Sequence, residues 1–254
     1  MRRKLVAGNW KMFKTLPEAL ALAMELKQLL ADCNHCDVVI APPFVVLEAL
    51  SQKFKGTQLQ LAGQNLHAAG EGAFTGEISG AMLKSVGCSC VLIGHSERRQ
   101  YFKETDEEVN AKIRSAIGQG LTPIFCLGET LAEREAGTTF QVLEKQLTAG
   151  LAGIPNERAG QVVIAYEPVW AIGTGKVAST EQAQEVHKFL RERLGAMYRS
   201  YVPATVRILY GGSVKPENVD AIMAQPDLDG VLVGGASLKA KDFARIAFYQ
   251  KSAG

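Results

Sequence analysis

Glu167 closes an apolar run, residues 162–166, and Pro168 follows it. A carboxylate in that place is poorly solvated, so its pKa is expected to rise and its strength as a base to improve. His95 follows Gly94 at the end of another apolar run and precedes Ser96, which reads as a helix start. Helix N–H groups aimed at its ring would disfavour the imidazolium. A neutral imidazole can donate a hydrogen bond to a carbonyl oxygen and share its proton. Asn9 and Lys11 follow the first apolar run, and Lys11 is either an ion-pair partner for Glu167 or a surface cation. A base on one side and donors on the other suit abstraction of a proton beside a carbonyl group.

Two glycine pairs point to an anion. Gly211-Gly212, with Ser213 beside it, and Gly234-Gly235 each lie between an apolar run and the next helix. Bare backbone N–H groups at a helix start can approach a phosphate closely. Between them in chemistry, though earlier in the chain, runs Pro168-Val169-Trp170-Ala171-Ile172-Gly173-Thr174-Gly175-Lys176. Its end is not a P-loop, because Trp170 and Val177 stand where glycine and Ser or Thr are needed. A stiff start and permissive glycines suit a lid. No metal and no cofactor are expected. Carboxylates or histidines do not pair at neighbouring strand ends, and the last four apolar runs contain no lysine for a Schiff base.

These residues need a frame that brings them together. Apolar runs recur at 5–8, 38–41, 59–63, 91–94, 122–127, 162–166, 206–210 and 230–233. Most are continuously apolar and rich in Val and Ile, as in strands covered on both faces. Helical stretches lie between them. Thr15 with Glu18, Thr105 with Glu108, Thr130 with Glu133, and Ser179 with Gln182 have capping-box spacing. Gly118 and Gly120 mark a helix end. Strict alternation implies parallel strands with right-handed crossovers. Eight units in 254 residues, about 32 residues each, suit a closed eight-stranded (β/α)8 barrel in one domain, 1–254. An open doubly wound sheet is the alternative. In a closed barrel the groups after each strand share one mouth, where phosphate often binds after strands seven and eight.

Bulk properties narrow the partners. Net charge is +2, with 47% hydrophobic and 21% charged residues. Nucleic acid is therefore not expected as the main partner. The basic start is not followed by the apolar stretch of a signal peptide, and no run approaches the length of a membrane span. A soluble, cytoplasmic protein without membrane contact is expected. Five cysteines do not suggest a disulfide framework. Cys33, Cys36, Cys88 and Cys90 could be written as a zinc tetrad, but Cys33 and Cys36 lead into one apolar strand and Cys90 begins another. Buried reduced thiols are the better reading. His35 and His187 read as solvated or structural, and His67 stays open. The stretch 64–77 is long for a turn and carries Thr75, Gly76 and Glu77 toward its end, as a binding loop would.

Together the segments 9–11, 94–99, 165–176, 210–213 and 232–235 resemble the triosephosphate isomerase family, in order and along the whole chain. That enzyme is itself a standard example of a glutamate base, a neutral histidine and a closing lid. The resemblance implies exchange of dihydroxyacetone phosphate and D-glyceraldehyde 3-phosphate through an enediol(ate), in glycolysis and gluconeogenesis. It implies Glu167 as base, His95 as electrophile, Lys11 as balancing charge, Asn9 as a positioning group and Glu97 as electrostatic support. Gly173, Ser213, Gly234 and Gly235 would hold the phosphate. A homodimer is implied, with Thr75 reaching toward the neighbour's site. The competing readings are another phosphate-binding barrel enzyme, a sugar-phosphate isomerase or aldolase, and an inactive barrel that serves as a binding partner.

Overall fold

The computed structural model describes residues 2–171, 178–199 and 201–250. The eight apolar runs all form strands: β1 Lys4–Asn9, β2 Cys36–Ala41, β3 Leu59–Gly63, β4 Cys88–Ile93, β5 Thr122–Leu127, β6 Val163–Tyr166, β7 Arg207–Tyr210 and β8 Gly230–Val233. Each pairs in parallel with the next, and β8 pairs with β1 through Leu5–Gly230 and Gly8–Val233. The sheet is therefore a closed barrel, and the open-sheet alternative is excluded. Gly230 makes the closure sterically feasible. Its φ is +153°, and a Cβ there would lie 1.8 Å from the carbonyl oxygen of Leu5.

Side chains alternate along each strand between two apolar layers. Leu5, Ala7, Val39, Ala62, Leu92 and Ile124 belong to the barrel interior. Val6, Val38, Ile40, Val91 and Ile93 face outward and pack under the helices. Covering both faces is what makes the runs apolar throughout. Each fully buried Val, Leu or Ile contributes roughly 1.5–3 kcal/mol of transfer free energy. All four capping boxes form. At Thr105, for example, the backbone N–H donates to Glu108 Oε2 at 2.8 Å, and the Glu108 N–H donates to Thr105 Oγ1 at 3.3 Å.

Two strands begin two or three residues earlier than hydrophobicity suggests. β2 includes Asp37, whose carboxylate accepts from Arg3 Nε at 2.5 Å and Arg207 Nη1 at 2.7 Å. β4 includes Ser89, whose hydroxyl donates to Gln60 Oε1 at 3.0 Å. These polar residues are satisfied by side chains from other segments at the barrel's N-terminal end. Of the two readings open for His187, the structural one holds: it is fully buried, with Nδ1 2.7 Å from the Ala183 carbonyl. None of the described helices is long and apolar enough to cross a membrane.

Candidate active site

Parallel closure sends every strand's C-terminal end to the same rim. The turn after β4 brings His95 there and the turn after β6 brings Glu167, with His95 Nε2 3.0 Å from Glu167 Oε1. Both are almost inaccessible, at 6% and 2% exposure. His95 is the cap of the helix Ser96–Phe102, and the Glu97 backbone N–H donates to its Nδ1 at 3.2 Å. Because Nδ1 accepts, the hydrogen-bond pattern assigns the ring proton to Nε2, facing the carboxylate. The Ser96 N–H donates to the other Glu167 oxygen at 2.8 Å.

The electrostatics differ from the expectation for Glu167. Burial pushes its pKa up, but His95, the Ser96 N–H and Lys11 outweigh burial and hold it below the ordinary carboxylate value. Burial likewise opposes the imidazolium of His95, but the Glu167 charge overcomes this and raises its pKa, against the expectation that the helix start would disfavour the imidazolium. The rise expected for Glu167 considered its own strand and omitted the donors supplied by β4.

Lys11 approaches from β1. Its backbone has φ +52°, a sparsely populated region for a residue with a side chain. The Lys11 N–H donates to Asn9 Oδ1 at 3.0 Å, and Gln64 Nε2 donates to the Lys11 carbonyl at 2.8 Å. Its ammonium lies 2.6 Å from Glu97 Oε1, so the partner is Glu97 rather than Glu167. Asn9, Lys11, His95, Glu167, Ser213 and Gly234 line one cavity of about 440 Å³, and Gly235 lies on its wall. At the glycine end, Gly234 leads into the 3-10 turn Gly235–Leu238, and a Cβ on it would come 3.5 Å from Lys11 Cε. Asn218 shapes the other turn by donating to the Ser213 carbonyl at 2.9 Å and accepting from the Lys215 N–H at 2.8 Å.

The model of the triosephosphate isomerase family matches residues 4–250. The chain belongs to the triosephosphate isomerase family. It is 55% identical over 250 residues to the triosephosphate isomerase of Geobacter metallireducens, covering 98% of this chain and 100% of the relative. Identity to that of Citrifermentans bemidjiense is 54% over 251 residues, covering 99% and 100%. For Endomicrobium trichonymphae it is 51% over 251 residues, with the same coverage. These relatives support the isomerase reading and lend nothing to an aldolase or an inactive barrel.

The lid stretch is described only at its start. Pro168, Val169, Trp170 and Ala171 are placed, whereas Ile172, Gly173, Thr174, Gly175 and Lys176 lie outside the described residues. The described part rests on Glu129, which the sequence reading passed over. Glu129 is fully buried and accepts from Trp170 Nε1 at 2.8 Å, Tyr166 Oη at 3.1 Å and Arg134 Nη1 at 3.3 Å. Its own carbonyl accepts from the Val169 N–H at 3.1 Å. A charged residue just before a capping box looks like solvated surface, so no local signal marked it. Gly128 was also missed: a Cβ there would fall 1.7 Å from the Glu167 carbonyl oxygen. The close approach of two backbones requires that glycine.

Thr75, Gly76 and Glu77 lie on an exposed loop that His67 organises. The His67 N–H donates to the Ile78 carbonyl at 2.8 Å, its Nδ1 accepts from the Ala69 N–H at 3.1 Å, and its ring lies 4.0 Å from that of Phe74.

Proposed function

We propose that this protein interconverts dihydroxyacetone phosphate and D-glyceraldehyde 3-phosphate by moving a proton between adjacent carbons. The observation that carries the reading is the buried Glu167–His95 pair, held at one rim with Lys11 and the two glycine turns. Substrate entering between the pair replaces their mutual contact. Glu167 then faces a carbon-bound hydrogen, and the His95 Nε2–H faces the carbonyl oxygen. Burial persists while the stabilising partners are given up, so the carboxylate becomes a stronger base on binding. As the carbon loses its proton, negative charge grows on oxygen. The His95 proton and the Lys11 ammonium offset that charge, with Asn9 orienting and Glu97 placing the lysine. The hydroxyl proton on the neighbouring carbon passes to the first oxygen by way of His95 Nε2, Glu167 returns its proton to that neighbouring carbon, and the isomerisation through an enediol(ate) is complete.

The phosphate belongs with the backbone N–H groups at Ser213, Gly234 and Gly235, joined by Gly173 from the lid. The pathway context is glycolysis and gluconeogenesis, the location cytoplasmic, and the unit a homodimer. Met12, Phe13, Val45, Phe74, Tyr101 and Phe102 support the dimer. They expose apolar surface on the loops and short helices that follow β1–β4, and Thr75 lies beside Phe74. Apolar exposure of this extent is what a partner surface covers.

A coupled assay on triose phosphates tests the chemistry. Glu167→Gln should lower kcat by about 10²–10⁴, and Lys11→Met should also damage turnover far more than Cys126→Ser does. A Glu167→Gln rate near wild type would remove Glu167 from the role of base.

A further inference from the structure

We propose that Cys33, His35 and Cys36 form a binding site for one thiophilic metal ion, with Zn2+ the cation that fits best. The segment Cys33-Asn34-His35-Cys36 turns the chain from the helix Leu16–Leu29 into β2. It sits at the N-terminal end of the barrel, opposite the rim that carries Glu167. One ligand atom from each of the three residues lies within 4.8 Å of the other two. Cys33 Sγ and Cys36 Sγ are 3.6 Å apart. Tetrahedral zinc with Zn–S bonds of about 2.3 Å separates two sulfurs by about 3.8 Å, so the thiols already stand at the edge of such a site.

The surroundings lack other partners for these groups. Among the described residues, His35 Nε2 and the Tyr249 hydroxyl are buried without a hydrogen bond. Their rings meet edge to face at 5.2 Å. Both thiols have only long contacts to the Ala247 carbonyl, at 3.9 and 3.6 Å. Two thiolates balance a dication, so the loaded site is neutral, which a buried position tolerates. Thiolate and imidazole donors together suit zinc over calcium or magnesium. Three protein ligands leave a fourth position for water.

The full tetrad weighed from sequence does not assemble. Cys90 faces the barrel interior, and Cys88 packs in the outer layer at β4. A disulfide between Cys33 and Cys36 is the rival use of the same thiols. It would leave His35 Nε2 without a partner. It also asks a disulfide oxidant to reach two sulfurs that are 0% and 1% exposed, whereas an ion is smaller and has the half-buried His35 on its path.

The test uses the full chain, stripped with a chelator under reducing conditions and titrated with Co2+. One equivalent should produce sulfur-to-cobalt charge-transfer absorption and the visible bands of tetrahedral cobalt. Zn2+ should displace it, and Zn2+ added to the metal-free chain should release protons as the thiols ionise. Cys33→Ser and Cys36→Ser should abolish the signal, and Cys88→Ser should retain it. His35→Ala, a change at a half-buried loop position, should weaken binding about 10-fold or more. Absence of the absorption in the wild-type chain would overturn the site. So would binding that His35→Ala leaves unchanged, or a loss of two hydrogens by intact mass after mild oxidation that Zn2+ does not prevent.

Discussion

Glu167 and Glu129 are both buried carboxylates, and their partners separate them. Glu129 is held by an indole, a phenol and a guanidinium, groups that fix its carboxyl group in place. Glu167 is held by His95 and one backbone N–H, contacts that a substrate can replace. His187 shows the same dependence on surroundings with a measurable consequence. Burial lowers its pKa to about 4, while an unfolded histidine titrates near 6.5. Between those pH values the unfolded chain binds a proton that the folded chain refuses. The stabilisation is complete above about pH 6.5 and is lost as pH falls toward 4, to a total of about 3 kcal/mol. Urea unfolding across this range should therefore show a steeper acid loss in wild type than in His187→Gln. Equal slopes would mean that His187 does not titrate on unfolding.

At the scale of elements, the segment after β6 joins base to lid. Glu167 and Trp170 are only three residues apart, one turned into the cavity and the other fixed to Glu129. In the proposed lid, this anchoring keeps the described near part registered with the base. Its chemical purpose follows from the intermediate. An enediolate that is free to adopt the wrong geometry can expel its phosphate, and closure of the proposed lid over the phosphate would suppress this. Deleting residues 170–175 should raise the ratio of methylglyoxal to isomerised product. A ratio equal to that of wild type would remove the lid from this role.

At the scale of the molecule, the site and the apolar surface share loops. Met12 and Phe13 follow Lys11 directly, and Tyr101 and Phe102 end the helix that His95 caps. Ion pairs from Glu104 to Arg98 and Lys112, with Lys112 Nζ 2.9 Å from Asn65 Oδ1, brace the neighbouring loop at 64–79. Burying these residues in a partner should steady Lys11 and His95 as well as exclude water. Sedimentation at micromolar concentration should show a dimer. Phe102→Glu should shift the chain toward monomer and lower kcat together. Fully active monomers at that concentration would refute the dimer requirement.

Much of this protein can be read from local pattern. Continuous apolar runs separated by capped helices determined the parallel order, and an eightfold count implied closure, because 2-fold and 3.6-fold periodicities are properties of neighbouring residues. Glu167, His95, Lys11 and the glycine pairs stood out because each follows such a run. What tertiary structure decided involves partners far along the chain. Ser96 and Glu167 are 71 positions apart, and their contact helps reverse the pKa direction that burial alone implies. Asp37 belongs in a strand because Arg3, just before β1, and Arg207, in β7, reach it. Glu129 is buried because Tyr166 and Trp170 close over it. Sequence sets which groups each strand end carries; the closed barrel decides which of them meet, since desolvation and hydrogen bonding depend on neighbours in space.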